Sequence, residues 1–293
     1  MTKEEFRKLT ENILLLDGAT GSNLMANGMP RGICTETWVI EHKDIIQELQ
    51  RSYIEAGSQI IYAPTFGGNR INLKKHGLQD RIEEINRTLV GYSREVAPEG
   101  VYVAGDITTS GEFIIPDGDD EDYTYDTAFQ MYQEQVRILC DAGVDLIVAE
   151  TMISIDETLA AVDAVRSVCD LPIMCSVTVD ADGSIFSGGN AIEAAISLEA
   201  AGADAVGINC SVGPDQLVSV VRSIKEKVSI PVIAKPNAGM PTIDGNGTAV
   251  YHMTPEDFAR HMKVLTENGA SIIGGCCGTS PAFIKAMHDI ICD

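Results

Sequence analysis

Basic residues are scarce in this chain. Lys and Arg number 21 against 43 Asp and Glu over 293 residues, a formal net charge of −22. Binding to a phosphate backbone needs a basic footprint, and docking on an anionic membrane needs the same, so the balance argues against both. No apolar run approaches the ~18–20 residues of a membrane span. The opening MTKEEFRKLTENILLLD carries acidic residues where a secretion signal needs a basic stretch and then an apolar one. The expected location is therefore cytoplasmic. Eight cysteines are too few for a disulfide-dense scaffold, and in a reducing compartment clustered cysteines point to metal or catalysis instead. Apolar residues make up 45%, the usual globular fraction, so a packed core is expected.

What is present is a rhythm. Short apolar segments recur at 13–17 (ILLLD), 59–63 (QIIYA), 101–106 (VYVAGD), 145–150 (DLIVAE), 173–177 (IMCSV), 205–210 (AVGINC), 231–235 (PVIAK) and 271–275 (SIIGG). Runs this short, without polar alternation, read as strands buried on both faces. Helical patterns lie between them. Residues 42–56 carry Ile45, Ile46, Leu49, Tyr53 and Ile54 on one stripe, and 156–168, 190–201, 214–228, 255–268 and 280–291 look similar. Thr254-Pro255 and Ser280-Pro281 place a capping hydroxyl before a first-turn proline. Gly57, Gly143, Gly202 and Gly269 close helices. Eight strands alternating with helices predict an α/β fold, a (β/α)₈ TIM barrel in a single domain over 1–293. An open doubly wound sheet is the competitor. The acidic run 117–122 (DGDDED) reads as a solvated loop after the third strand; a calcium loop is the lesser alternative, since the full EF-hand spacing is missing.

In such barrels the chemistry sits at the C-terminal ends of strands. Here those ends read Asp17, Asp106, Glu150 and Cys210, then Asn237 just after the seventh strand and Cys276-Cys277 after the eighth. Barrel closure sets the eighth strand two places from the sixth, so three thiols can meet at one mouth. Three thiolates with one open position suit a catalytic zinc site. The five histidines, at 42, 76, 252, 261 and 288, end no strand, so sulfur is the ligand set on offer. Buried small hydrophobes and a redox pair are the competing readings of the cysteines. Cys140, Cys169, Cys175 and Cys292 are read as such hydrophobes, and Cys34 is left open.

Four motifs carry a resemblance. They are Asp17-Gly18-Ala19-Thr20-Gly21-Ser22, AVGINCSVGP at 205–214, KPNAG at 235–239 and GGCCGT at 274–279. Together they resemble the homocysteine S-methyltransferase family, over nearly the whole chain. NCSVGPDQL, KPNAGMP and VYHMTPEDFA look most like the homocysteine-binding module of cobalamin-dependent methionine synthases, and less like the betaine-dependent or S-methylmethionine-dependent branches. The resemblance implies zinc held by Cys210, Cys276 and Cys277. It implies that Asn237 fills the open position before substrate arrives, and that Asp17 and Glu150 hold the substrate ammonium. The backbone of Gly18, Ala19 and Thr20 would receive the carboxylate. Where that family often has Gly-Pro, this chain has Thr108-Thr109, beside the mouth.

The expected activity is methylation of homocysteine, activated as a zinc thiolate, to methionine. The chain ends at Asp293 without room for a donor module, so methylcobalamin is expected on a separate corrinoid protein. Betaine, S-methylmethionine or another thiol acceptor are alternatives within the class. A non-catalytic zinc-binding scaffold is the alternative outside it.

Overall fold

The structure is a computed structural model that describes residues 1–116, 118–119, 122–245 and 249–292. Its strands are β1 (Leu14–Leu15), β2 (Ile60–Tyr62), β3 (Tyr102–Ile107), β4 (Leu146–Met152), β5 (Ile173–Val177), β6 (Ala205–Asn209), β7 (Val232–Lys235), β8 (Thr242–Ile243), β9 (Ala249–Val250) and β10 (Ala270–Ile273). The helices are α1 (Lys3–Leu9), α2 (Gly21–Ala26), α3 (Thr35–Glu41), α4 (Lys43–Glu55), α5 (Arg70–Lys74), α6 (Ile82–Val96), α7 (Tyr125–Ala142), α8 (Ile155–Val168), α9 (Ala191–Ala201), α10 (Val218–Lys225), α11 (Pro255–Glu267) and α12 (Pro281–Met287). Eight strands form one parallel sheet in the order β1-β10-β7-β6-β5-β4-β3-β2. A parallel bridge between Leu16 and Ile60 joins the two ends of that order. This closure rules out the open doubly wound sheet and makes the chain a TIM barrel.

Side chains alternate along each strand, so every second residue points into the barrel. Leu14, Leu16, Ile60, Tyr62, Ala104, Leu146, Val148, Met174, Ala205, Ile233 and Ile272 form the apolar interior, plugged from below by Phe6 of α1. The outward residues join the larger cluster between strands and helices. α4 shows how the outer layer is written: Ile46, Leu49 and Tyr53 bury one stripe. Gly143 and Gly202 end α7 and α9 in the left-handed conformation, as the closing glycines predict.

Several details differ from the sequence expectation. Thr254 caps α11 through its hydroxyl, but Ser280 makes no side-chain cap bond; the Phe283 N–H is taken by the Ser280 carbonyl instead. The helix expected over 214–228 splits into a 3₁₀ turn, Pro214–Gln216, and α10, and the one over 280–291 ends in a π turn after α12. The β8–β9 hairpin was not foreseen, because two-residue strands carry no periodic signal. In the acidic run, Asp117, Asp120 and Glu121 lie outside the described residues; Asp119 donates its N–H to the Asp122 carboxylate. No helix of the described residues is long and apolar enough to cross a membrane.

Candidate active site

Continuing the interior alternation one step toward the C-terminal ends changes its character. Ala104 is followed by Asp106, Val148 by Glu150, Met174 by Ser176 and Ile233 by Lys235, while β6 reaches Asn209. All five residues are buried. They form a polar layer on top of the apolar one, beneath a cavity of about 690 Å³ at the barrel mouth. Asp17, Gly18, Ala19, Thr20, Asp106, Glu150, Lys235, Cys210, Cys276 and Cys277 all line that cavity.

The Sγ atoms of Cys210, Cys276 and Cys277 lie within 4.8 Å of one another, and Cys210 and Cys277 are 3.5 Å apart. Tetrahedral thiolates about 2.3 Å from one zinc ion would stand about 3.8 Å apart, so the trio fits such an ion. The backbone is bent to make it. Cys210 has φ +46°, a region costly for any residue with a Cβ. Thr178 Oγ1 donates to the Cys210 carbonyl and the Cys210 N–H donates to the Lys235 carbonyl, which holds the bend. Gly278, at φ +82°, turns the chain after the vicinal pair; a Cβ there would meet the Tyr251 ring at 2.3 Å. With three thiols in contact, hydrogen bonds from Cys210 and then Cys276 hold Cys277 down to about 3, while Cys276 first and then Cys277 push Cys210 well up. One thiolate is thus stabilised by the two thiols beside it.

The acids surround a cation. Lys235 Nζ stands 3.5 Å from Asp17 Oδ1, 3.7 Å from Glu150 Oε2 and 4.6 Å from the centre of the Tyr62 ring, and its side chain is 4% exposed. Burial opposes its charge, but Glu150 and Asp17 more than restore it, so its pKa stands above the ordinary lysine value. Burial pushes the Glu150 carboxyl up to about 7, against the pull of Lys235. Asp17 is raised for the same first reason, and its Oδ2 accepts the Tyr62 N–H at 2.8 Å.

Asn209 ties these elements together. Its Oδ1 accepts from the Thr151 N–H at 2.7 Å and from Ser176 Oγ at 2.8 Å, and its Nδ2 donates to Glu150 Oε2 at 3.2 Å. Thr151 needs that support, since it stands at φ +57°.

The other expected residues are placed less uniformly. Gly18 allows α2 to approach Tyr53, whose hydroxyl a Cβ would meet at 2.7 Å. The Ala19 N–H already donates to Thr279 Oγ1 at 3.1 Å, so this segment offers one fewer donor than expected. Asn237 does not line the cavity: its Nδ2 donates to the Ser211 carbonyl, and its Oδ1 is buried with no partner among the described residues. Of the cysteines read as small hydrophobes, Cys175 is buried. Cys140 and Cys169 are half-buried and touch each other, and Cys292 is exposed, because it sits in the terminal π turn rather than in a packed face. Cys34 is buried against Glu36, 3.2 Å from its Oε2.

The sequence profile described as homocysteine S-methyltransferase matches residues 14–291. The chain belongs to the homocysteine S-methyltransferase family. It is 30% identical over 297 residues to the methionine synthase of Mycobacterium tuberculosis and 29% to that of Mycobacterium leprae, covering 95% of this chain in each case. It spans only 24% of the length of those two relatives. Among solved structures it resembles the homocysteine methyltransferase MmuM from Escherichia coli in its metallated form, with a TM-score of 0.77 and 21% identity over 97% of this chain and 99% of that one. At that identity the likeness concerns the fold.

Within this family site, sequence reading passed over Lys235 and Asn209 and left Asp106 without a role. The signal was available: each lies two residues beyond an interior position on its strand. The departure at Thr108-Thr109 also acquires a reason. Thr109 Oγ1, the Ser110 N–H and Oγ, and the hydroxyls of Tyr123 and Tyr132 all donate to the buried Glu157 carboxylate. Thr108 Oγ1 donates to the Glu150 carbonyl at 2.8 Å. This loop is pinned by the Glu157 carboxylate and the Glu150 carbonyl.

Proposed function

We propose that this chain is a zinc-dependent homocysteine S-methyltransferase that forms methionine, with methylcobalamin on a separate corrinoid protein as donor, in a reducing cytoplasm. The carrying observation is the meeting of three thiols and a buried, lysine-centred acid cluster on one cavity. Homocysteine is a zwitterion with a thiol at its far end, and this cavity offers a partner of suitable chemistry for each end.

Cys210, Cys276 and Cys277 would hold the zinc, with Asn237 brought beside them by the Cys276–Pro236 and Ala238–Cys277 backbone hydrogen bonds and its Oδ1 unpartnered among the described residues. Bound there, zinc would lower the pKa of an incoming thiol so that its proton leaves to solvent, and three thiolate donors keep that sulfur electron-rich. Asp17 and Glu150 supply negative charge for the ammonium, and the turn at Gly18 and Thr20 faces the carboxylate. Fixing both ends of the substrate aims its sulfur outward for in-line attack on a methyl group. Exposed Met25, Ile33, Phe66 and Ile243 line the same cavity and make an apolar rim, which suits a bulky donor approaching from outside. The likeness to two methionine synthases supports methionine as the product.

The test is a donor panel. Zinc-loaded protein and homocysteine are incubated with methylcobalamin, betaine or S-methylmethionine, and methionine is measured. Turnover with methylcobalamin is expected. Turnover with betaine or S-methylmethionine and none with methylcobalamin overturns the donor assignment.

A further inference from the structure

Asp17 and Glu150 do not exhaust the acids of the mouth, and their oxygens are not equally available. Asp17 accepts the Tyr62 N–H with Oδ2 and faces Lys235 with Oδ1. Glu150 Oε2 is shared by Asn209 and Lys235, which leaves Oε1 without a hydrogen bond among the described residues. Asp106 is different. It is 5% exposed, it lines the cavity, and its Oδ1 is buried with no partner among the described residues. Its backbone is fixed on both sides by Thr65, whose Oγ1 donates to the Asp106 carbonyl at 2.8 Å and accepts its N–H at 3.1 Å. The backbone is thus held, and the side-chain Oδ1 is left unsatisfied.

An unpartnered buried carboxylate is costly, and proteins retain one where a ligand supplies the missing partner. Three acids and one lysine are buried together here, so full ionisation of the acids would leave an excess of negative charge that one further cation would offset. Burial first, and then Glu150, push the Asp106 carboxyl well above the usual carboxylate range. A cation on the cavity side would relieve both.

Resting on the proposed function, we infer that Asp106 is a further substrate-binding residue, an acceptor for the α-ammonium group of the thiol substrate beside Asp17 and Glu150. A thiol of the same length that lacks the amino group leaves Asp106 unpaired and is rejected.

The experiment is calorimetry on zinc-loaded wild type and Asp106→Asn, titrated with L-homocysteine and with 4-sulfanylbutanoate, its analogue without the amino group. Wild type should prefer homocysteine. Asp106→Asn should lose roughly 10–100-fold in affinity for homocysteine, the worth of a hydrogen bond to a charged group, and little for the analogue. Equal losses for the two ligands mean a merely structural role and overturn the inference, as does no loss at all. Wild type binding both thiols equally also overturns it but leaves thiol binding intact, whereas wild type binding neither sinks the proposed function and this inference together. Zinc content and circular dichroism check the variant's fold. If Asp106→Asn fails that check, Asp106→Ser carries the same comparison.

Discussion

The molecule holds two close cysteine clusters, and their sulfur spacings are nearly the same. Cys210 and Cys277 stand 3.5 Å apart at the mouth; Cys140 and Cys169 stand 3.3 Å apart at the ends of α7 and α8. Because those helices return antiparallel to the strands, the second pair lies at the opposite end of the barrel. Proximity of sulfur therefore does not separate a candidate metal centre from an ordinary contact. The surroundings do. The mouth trio has a third thiol, a strained residue at Cys210, a cavity beside it, and buried charge on β4 and β7. The helix-end pair has only two thiols, with Arg166 hydrogen-bonded to the Leu171 and Gly202 carbonyls nearby. The non-glycine residues of positive φ among the described residues, Thr151 and Cys210, both stand at the mouth, as expected where a site is built at the expense of packing.

The largest effect should come from removing sulfur at each end. Cys276→Ser or Cys277→Ser should lose zinc by more than the roughly 10–100-fold that follows loss of a residue merely supporting a ligand, whereas Cys140→Ser and Cys169→Ser should keep wild-type zinc. Elemental analysis of the four purified variants checks this. Full zinc in Cys276→Ser and Cys277→Ser would erase the contrast between the clusters.

A smaller contrast concerns the cation beside each cluster. Lys235→Met strips the buried partner from Asp17 and Glu150 and should cost about 3–5 kcal/mol of stability. Arg166→Met, whose side chain is 21% exposed and whose partner Asp204 also receives the Ile173 N–H, should cost about 1–2 kcal/mol. Denaturant melts of the two variants measure the difference. Equal costs would mean that Lys235 is no more tightly bound into its site than a surface ion pair.

This contrast also shows what could be read in advance. The barrel was legible because eight short apolar runs are a strong periodic signal, and their ends named Asp17, Glu150 and the three cysteines. The spacing Asp106, Glu150, Asn209 and Lys235 was equally regular, but it appears only when each strand is counted by twos against its neighbours. That count needs the register, for example Asp106 opposite Val148 and Asn209 opposite Lys235. Lys235 was hidden for a second reason. A lysine closing an apolar strand ordinarily marks the surface, and only the barrel shows it pointing inward between two acids. The pinning of Thr109 and Ser110 by Glu157 was out of reach too, since it joins residues 47 and 48 positions apart through side chains alone.

The smallest effect sharpens the comparison at its quieter end. A hydrogen bond with Cys140, then the Leu171 N–H and the charge of Arg166, hold Cys169 down to about 6, while Cys140 is raised correspondingly. A lowered pKa means that the thiolate survives as pH falls. Alkylation of Cys169 by iodoacetamide should therefore stay nearly constant from pH 8 to about 6.5 and decline only below about 6, where an unperturbed thiol, with a pKa near ~8.5, would already be protonated. Cys140 should react far more slowly throughout. Peptide mass spectrometry after timed labelling reads both sites at once, and Arg166→Met should move the Cys169 inflection upward. If the two cysteines label in parallel, neither sulfur is held as a thiolate by the other, and the helix-end pair is a packing contact with no polarity of its own.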